Sequence, residues 1–237
     1  MIYYASCTDT GGRPYNEDYV DYKKIDEEHL CVVLADGLGG HGGGEIASKE
    51  AVKLVLDGWE GVSTPALLCD LVQAAHKKII SLQTPVCKMK TTIVILSIVE
   101  GWAQWAHVGD SRLYHFLDGK LVFQTRDHSS SQIAVLMGQI KQEEIRFHED
   151  RSHIFRALGQ ESYLNADTKE QELSPGKHAF LLCTDGFWEY VYEDEMEREL
   201  QAAVSVQDWL ERMKEHLAGR IDGDNDNNTA AAVWITV

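Results

Sequence analysis

Leu30-Cys31-Val32-Val33-Leu34-Ala35-Asp36-Gly37-Leu38-Gly39-Gly40-His41-Gly42-Gly43-Gly44-Glu45 is the stretch from which the fold is read. An apolar run with the length of a buried strand ends on the carboxylate of Asp36. Six glycines then fall within eight residues, Gly37 to Gly44, and a helical pattern starts near Glu45. A carboxylate at the tip of a buried strand, beside backbone free to approach a ligand, suits a cation or a phosphate. A flexible turn capped by Asp36 fits this stretch equally well, so the rest of the chain decides.

Outward from it, Met1 to Thr8 is β-prone, Asp9 to Asp18 is a turn-rich polar loop, and Tyr19-Val20-Asp21-Tyr22 alternates as a strand does. On the other side, Ile46, Ala47, Ala51, Leu54, Val55 and Trp59 keep helical spacing. A second helix opens at Pro65 and runs through Leu67, Leu68, Leu71, Val72, Ala75 and Ile79. Thr91 to Val99 and Trp102 to Val108 read as strands, and Asp118-Gly119 joins Arg112–Leu117 to Lys120–Gln124 as a hairpin. Short helices over Ser129 to Gly138 and Gln142 to Phe147 lie in a polar region. Strands follow at Tyr163 to Glu172 and His178 to Thr184, then helices at Asp194 to Ala203 and Val206 to Leu217, and a last strand from Ala230 to Val237. This order does not alternate as a parallel βαβ fold would. It predicts an α+β architecture, antiparallel sheets with helices packed outside, in one domain spanning 1–237 without linker or repeat.

The 237 residues are 44% apolar, and 22 basic against 38 acidic residues leave a net charge of −16. That balance argues against nucleic acid and anionic membranes as partners. The five cysteines, Cys7, Cys31, Cys69, Cys87 and Cys183, form no C-x-x-C pair, and three sit in apolar runs as small buried hydrophobes. No basic-then-apolar leader opens the sequence, and the apolar run Thr91 to Val99 is too short to span a bilayer, so a cytoplasmic setting is expected; a monomer is expected separately. The ten histidines show no metal-spaced pair on one helix, and the six tryptophans read as core.

Several acids share the setting of Asp36: Glu17-Asp18 before an early strand, Asp110 after Val108-Gly109, Asp185-Gly186 after Leu181 to Thr184, and Asp224 to Thr229 before the last strand. Any one of them is a strand-end turn former. Together at one edge they would repel at great cost unless cations lay between them. Oxygen-only ligands point to magnesium or manganese rather than zinc. Two such ions suit in-line displacement at phosphorus, and Arg13 offers a planar fork for phosphate oxygens.

With these residues in view, the chain resembles the metal-dependent serine/threonine protein phosphatases of type 2C in their short bacterial form. The motifs occur in family order over nearly the whole length: Arg13-x-x-Asn16-Glu17-Asp18, Ala35-Asp36-Gly37-x-Gly39-Gly40-His41, Thr91-Thr92, Gly109-Asp110-Ser111-Arg112, Thr125-x-Asp127-His128-Ser129, Arg156-Ala157-Leu158-Gly159, Thr184-Asp185-Gly186 and Asp226-Asn227-x-Thr229. The resemblance implies a four-layer α/β/β/α sandwich, two antiparallel sheets flanked by helix pairs, with a small flap at about 129–156.

It also implies roles. Asp36 bridges two Mn2+ or Mg2+ ions, the Gly37 carbonyl ligates one, and Asp185 and Asp226 hold the other. Glu17 is a ligand directly or through water, Asp18 orders metal waters, and Arg13 binds the substrate phosphate. Asp110 belongs to a third, weaker metal shared with Asp185, where Glu189 replaces the usual aspartate on a longer arm. The implied reaction is hydrolysis of phosphoserine and phosphothreonine in proteins by a metal-bridging hydroxide, in line and without a phosphoenzyme, reversing a serine/threonine kinase. Leu38 stands where eukaryotic members carry a histidine, so the proton donor is unassigned; His41 and a metal-bound water are the candidates. Lys90 replaces a usual glycine, and Asp226 is preferred over Asp224 because Thr229 lies at the family spacing. A phosphoprotein-binding module without activity would have lost a ligand, and Asp36, Asp185 and Asp226 are all present. A Ser111–His128 serine hydrolase is disfavoured because both belong to family motifs.

Overall fold

The computed structural model describes residues 1–38, 42–161 and 164–237. Among the described residues twelve strands run in the order β1 (Ile2–Asp9), β2 (Tyr19–Lys24), β3 (His29–Ala35), β4 (Gly37–Leu38), β5 (Lys90–Thr91), β6 (Ile93–Val99), β7 (Trp102–Val108), β8 (Arg112–Leu117), β9 (Lys120–Gln124), β10 (Asp167–Glu172), β11 (Lys177–Cys183) and β12 (Asn228–Thr236). The helices are α1 (Gly44–Gly58), α2 (Pro65–Leu82), α3 (Ser130–Leu136), the single turn α4 (Asp185–Trp188), α5 (Glu193–Ala202) and α6 (Val206–Ala218), with a 3₁₀ helix at Gln142–Phe147.

Two five-stranded antiparallel sheets form, ordered β1-β12-β11-β8-β9 and β10-β7-β6-β3-β2. The side-chain period of two explains the layers. In β3, Leu30, Val32 and Leu34 enter the core between the sheets, where they meet Phe180, Leu182, Ala231 and Val233. Cys31, Val33 and Ala35 point the other way, onto Ala47 and Val55 of α1, Trp59 just after it, and Val72 of α2. Tyr114, Phe116, Leu181 and Ala232 likewise face Trp209, Leu210 and Met213 of α6. A strand apolar on both faces demands a layer on each side, and the four-layer α/β/β/α sandwich supplies them.

Some details depart from expectation. The run Thr91 to Val99 is broken at Thr92: Lys90 and Thr91 pair with Leu38 and Gly37 instead, and β6 starts at Ile93. Asp185-Gly186, expected as a strand-end turn, opens the single helical turn α4. Trp102 is exposed at the end of β7, while Trp59, Trp105, Trp188 and Trp209 are buried. Tyr163, expected to open β10, and His41 lie outside the described residues. No described helix is long and apolar enough to cross a membrane.

The segment 129–156 is tied down at its base and along its length. Phe155 N donates to His128 O and Ser130 N to His153 O, both at 2.9 Å. Arg146, buried, donates to the carbonyls of Trp188 (2.6 Å) and Val191 (3.2 Å) and pairs with Glu193.

Candidate metal centre

The expected acids meet at one end of the sandwich, because antiparallel neighbours bring alternate strand ends to the same edge. β3, β7 and β11 finish there, before Asp36, Asp110 and Asp185; β2 and β12 begin there, after Glu17-Asp18 and Asp226. Arg13, Glu17, Asp36, Gly37, Asp110, Asp185 and Asp226 all line one cleft of about 910 Å3.

Backbone bonds hold each tip. Asp36 N donates to Thr92 Oγ1 (2.9 Å), and Asp36 O accepts from Thr92 N (2.8 Å) and Thr91 Oγ1 (2.7 Å). These bonds are what break the strand at Thr92. Gly37 N donates to Glu17 O at 3.1 Å, and a Cβ on Gly37 would lie 2.6 Å from that oxygen, so only glycine fits. Asn227 gathers the other side: its Oδ1 accepts from Glu17 N (2.8 Å), and its Nδ2 donates to Thr10 O (2.7 Å) and Tyr15 O (2.9 Å). Trp188 Nε1 donates to Asp110 O at 3.0 Å.

The electrostatics are those of buried acids crowded against one another with little internal counter-charge. Burial, and then Asp18, Asp185 and Asp110, push the Asp36 carboxyl well above its ordinary range. Burial and Asp185 do the same to Asp110. Burial and Asp226 raise Asp185 to about 6, and burial foremost raises Asp18 to about 7. Burial and Glu45 raise Glu17. Asp18 is buried, and its Oδ2 accepts from Thr184 Oγ1 at 3.0 Å while its Oδ1 has no partner among the described residues. A buried carboxylate oxygen left without a donor is a costly arrangement unless cation-ordered water meets it. The donor set is oxygen throughout, so the residues fit hard divalent ions such as Mn2+ or Mg2+.

Two expected residues are paired within the protein. Arg13 donates through Nε (3.1 Å) and Nη2 (3.0 Å) to the two oxygens of Asp226. Glu189, expected beside Asp110, accepts from Arg151 Nε at 2.7 Å in a recess of about 140 Å3 shared with Asp185. Burial and then Asp185 raise the Glu189 carboxyl to about 7.

The tightest trio of metal-capable atoms among the described residues lies elsewhere, in His107, His128 and Asp167, within 4.8 Å of one another. Its protons argue against a ready site. His107 Nε2 sits 2.8 Å from Arg126 O and so carries the hydrogen, which leaves Nδ1 without a partner among the described residues, so the obstacle to a cation is His128. His128 Nδ1 accepts from Gly109 N at 3.0 Å, which puts its hydrogen on Nε2, 3.4 Å from Asp167 Oδ2 and 3.1 Å from the Arg156 guanidinium. A cation there would displace that hydrogen beside a fixed positive charge. Ser111 does not reach His128; its Oγ shares a hydrogen bond with Thr92 Oγ1 at 2.7 Å.

Sequence reasoning passed over Glu45, which perturbs Glu17 and lines the cleft, and Arg151. Glu45 had a signal, since it opens a helix directly after the glycine run. Arg151 had none, because its partner is 38 residues away.

The chain matches the family Protein phosphatase 2C over residues 11–224. It is 32% identical to the serine/threonine phosphatase Stp of Listeria welshimeri over 84% of this chain and 83% of that one. The crystal structure of the serine/threonine phosphatase Stp1 from Staphylococcus aureus superposes with a TM-score of 0.89 at 27% identity, covering 100% of this chain and 96% of that one. The catalytic domain of the serine/threonine protein phosphatase PstP, solved with two manganese ions, gives 0.82 at 30% identity, covering 100% and 99%. Fold, cleft and relatives agree: the chain belongs to the protein phosphatase 2C family, an enzyme family whose named relatives here are serine/threonine phosphatases.

Proposed function

We propose that the chain hydrolyses phosphoserine and phosphothreonine esters in proteins, by direct in-line attack of water and without a phosphoenzyme. The observation that supports this most is the convergence of Asp36, Asp110, Asp185, Asp226 and Glu17 on one cleft that contains a single arginine fork, Arg13. In this reading Asp36, the Gly37 carbonyl, Asp185 and Asp226 hold two divalent ions, Glu17 assists, and Asp18 orients water through its unpartnered oxygen. When bound, such ions would lower the pKa of coordinated water toward about 7 and offset charge on phosphoryl oxygens. Asp110 and Glu189 serve a third, weaker site, for which Glu189 must leave Arg151.

The chain's own residues perform the rest. Arg13 exchanges Asp226 for two phosphoryl oxygens, presenting the same planar fork. Thr92 and Thr91 fix Asp36 so that its carboxylate does not follow the substrate. Nothing in Ser111 or His128 offers a nucleophile, which favours water as the attacking group. The substrate must be supplied by a serine/threonine kinase, and residues 1–237 act as one catalytic domain with 129–156 as its flap.

The test is hydrolysis of p-nitrophenyl phosphate and a phosphothreonine peptide. Activity should require manganese or magnesium, vanish in chelator, and collapse in Asp36→Ala and Asp185→Ala. Full activity in chelator would overturn the reading.

A further inference from the structure

At about 910 Å3 the cleft has the size of pockets that enclose whole ligands, far more than a phosphoryl group fills. One wall is carboxylate. Apolar side chains from three separate segments line the same cleft: Pro14 and Tyr15, Leu38, and Ile154. Backbone pairing fixes each of them. The Tyr15 carbonyl accepts from Asn227 Nδ2 at 2.9 Å while the residue stands 76% exposed. Leu38 pairs with Lys90 in the ladder of β4 and β5. Ile154 bridges to Ser129, next to the bond from Phe155 N to His128 O.

An exposed aromatic ring at a reactive cleft, with aliphatic side chains from two other segments lining the same cleft, offers apolar surface that an incoming chain can cover. Because the backbone beneath these side chains is held by hydrogen bonds, only the side chains need ordering on binding. Leu38 has no proton to give, so what it contributes at this position is surface. Charge works in the opposite sense: Glu45 lines the same cleft, and the chain carries −16.

We infer that the cleft chooses among phosphorylated serines and threonines by the residue next to them: an apolar neighbour packs on Tyr15, Leu38 and Ile154, and an acidic neighbour is repelled. This rests on the phosphatase reading above. It makes the three residues specificity determinants and gives Leu38 a role other than proton transfer.

The test uses the full chain with Mn2+, p-nitrophenyl phosphate, and phosphothreonine peptides differing only beside the phosphothreonine, on either side, as Leu, Ser or Asp. The wild type should favour Leu over Ser on the order of tenfold in kcat/KM, with Asp lowest, and the difference should lie in KM. Tyr15→Ser, at an exposed position where the fold is not at risk, and Ile154→Ser should each lower the Leu-to-Ser ratio by roughly threefold. A wild type that hydrolyses p-nitrophenyl phosphate yet treats Leu and Ser peptides within about twofold would overturn the inference and leave the phosphatase reading standing. A preference unmoved by both variants would overturn it as well. A wild type inert on every substrate would bring down the phosphatase reading and this inference with it.

Discussion

Two groups of buried acids lie close together in this protein and are treated in opposite ways. Asp127 is met by both arms of Arg112, at 2.8 and 2.7 Å, with the two side chains 1% and 2% exposed and the guanidinium 3.5 Å from the Trp188 ring centroid. Asp110, two residues before Arg112, is also buried, yet its dominant neighbour is the acid Asp185. The first acid is neutralised from within and serves architecture. The second belongs to a set in which Arg13 meets Asp226 at the surface while the buried Asp36 and Asp18 face other acids, so most of its positive charge must come from outside the chain. Burial alone does not separate them; the partner does.

The widest contrast is in activity. Asp36→Ala should cost on the order of 10⁴-fold or more in turnover of p-nitrophenyl phosphate, as removal of a central catalytic group does. Circular dichroism should show the fold intact, since the substitution deletes a mutually repelled charge. A variant with near-normal turnover would erase the distinction between the two groups. Asp127→Ala should do the reverse. It strands Arg112 in the interior and should lower unfolding free energy by roughly 3–5 kcal/mol in urea titration. Joint replacement of Arg112 and Asp127 by apolar residues should recover much of that loss; a single variant as stable as the wild type would show that the pair is not structural.

Next in size is the dependence on pH in chelator. The Asp185 carboxyl is raised by burial and Asp226 from 3.8 to about 6. Between those values the folded state holds the proton more tightly than the unfolded state. The contribution of Asp185 to stability is therefore full below 3.8 and lost as pH rises through about 6. Asp185→Asn removes this loss. In chelator it should match the wild type near pH 4 and exceed it at pH 8, by at most about 3 kcal/mol at about 1.4 kcal/mol per pH unit. Subtracting the wild-type curve cancels the buried histidines, of which His115 and His128 are lowered by burial to about 4 and pull the other way. With Mn2+ present the order should invert. An Asp185→Asn curve parallel to the wild type at every pH would refute the account of the cluster.

The same contrast explains what could be read in advance. The strand His29–Ala35, the hairpin at Asp118-Gly119 and the helix from Pro65 follow from local period and turn chemistry. The acids at strand ends were visible because Asp-Gly and Asp-Asn punctuate a chain locally. The break at Thr92 was not, since its β-branched run continues unbroken and the cause is Asp36, 56 residues away. Arg13 with Asp226, separated by 213 residues, and Arg146 with Glu193, separated by 47, are equally silent in the sequence. Charge partners chosen by the fold leave no local signature, and they decide which buried acid is structural.

Arg13 tests the finest point of the comparison, because its pair with Asp226 looks like Arg112 with Asp127 but stands in solvent, 53% and 47% exposed. An exposed ion pair contributes no more than about 1 kcal/mol. Arg13→Lys should therefore leave thermal stability unchanged. The lysine keeps the charge but loses the planar fork, so kcat/KM on a phosphothreonine peptide should fall about tenfold. Manganese affinity, measured by calorimetry, separates the two jobs the fork could have. If Arg13 serves the phosphate, affinity stays level while KM rises. If it serves only to hold Asp226 in place, manganese affinity falls with activity, and the fork would be a structural pair of the Arg112 kind placed at the surface.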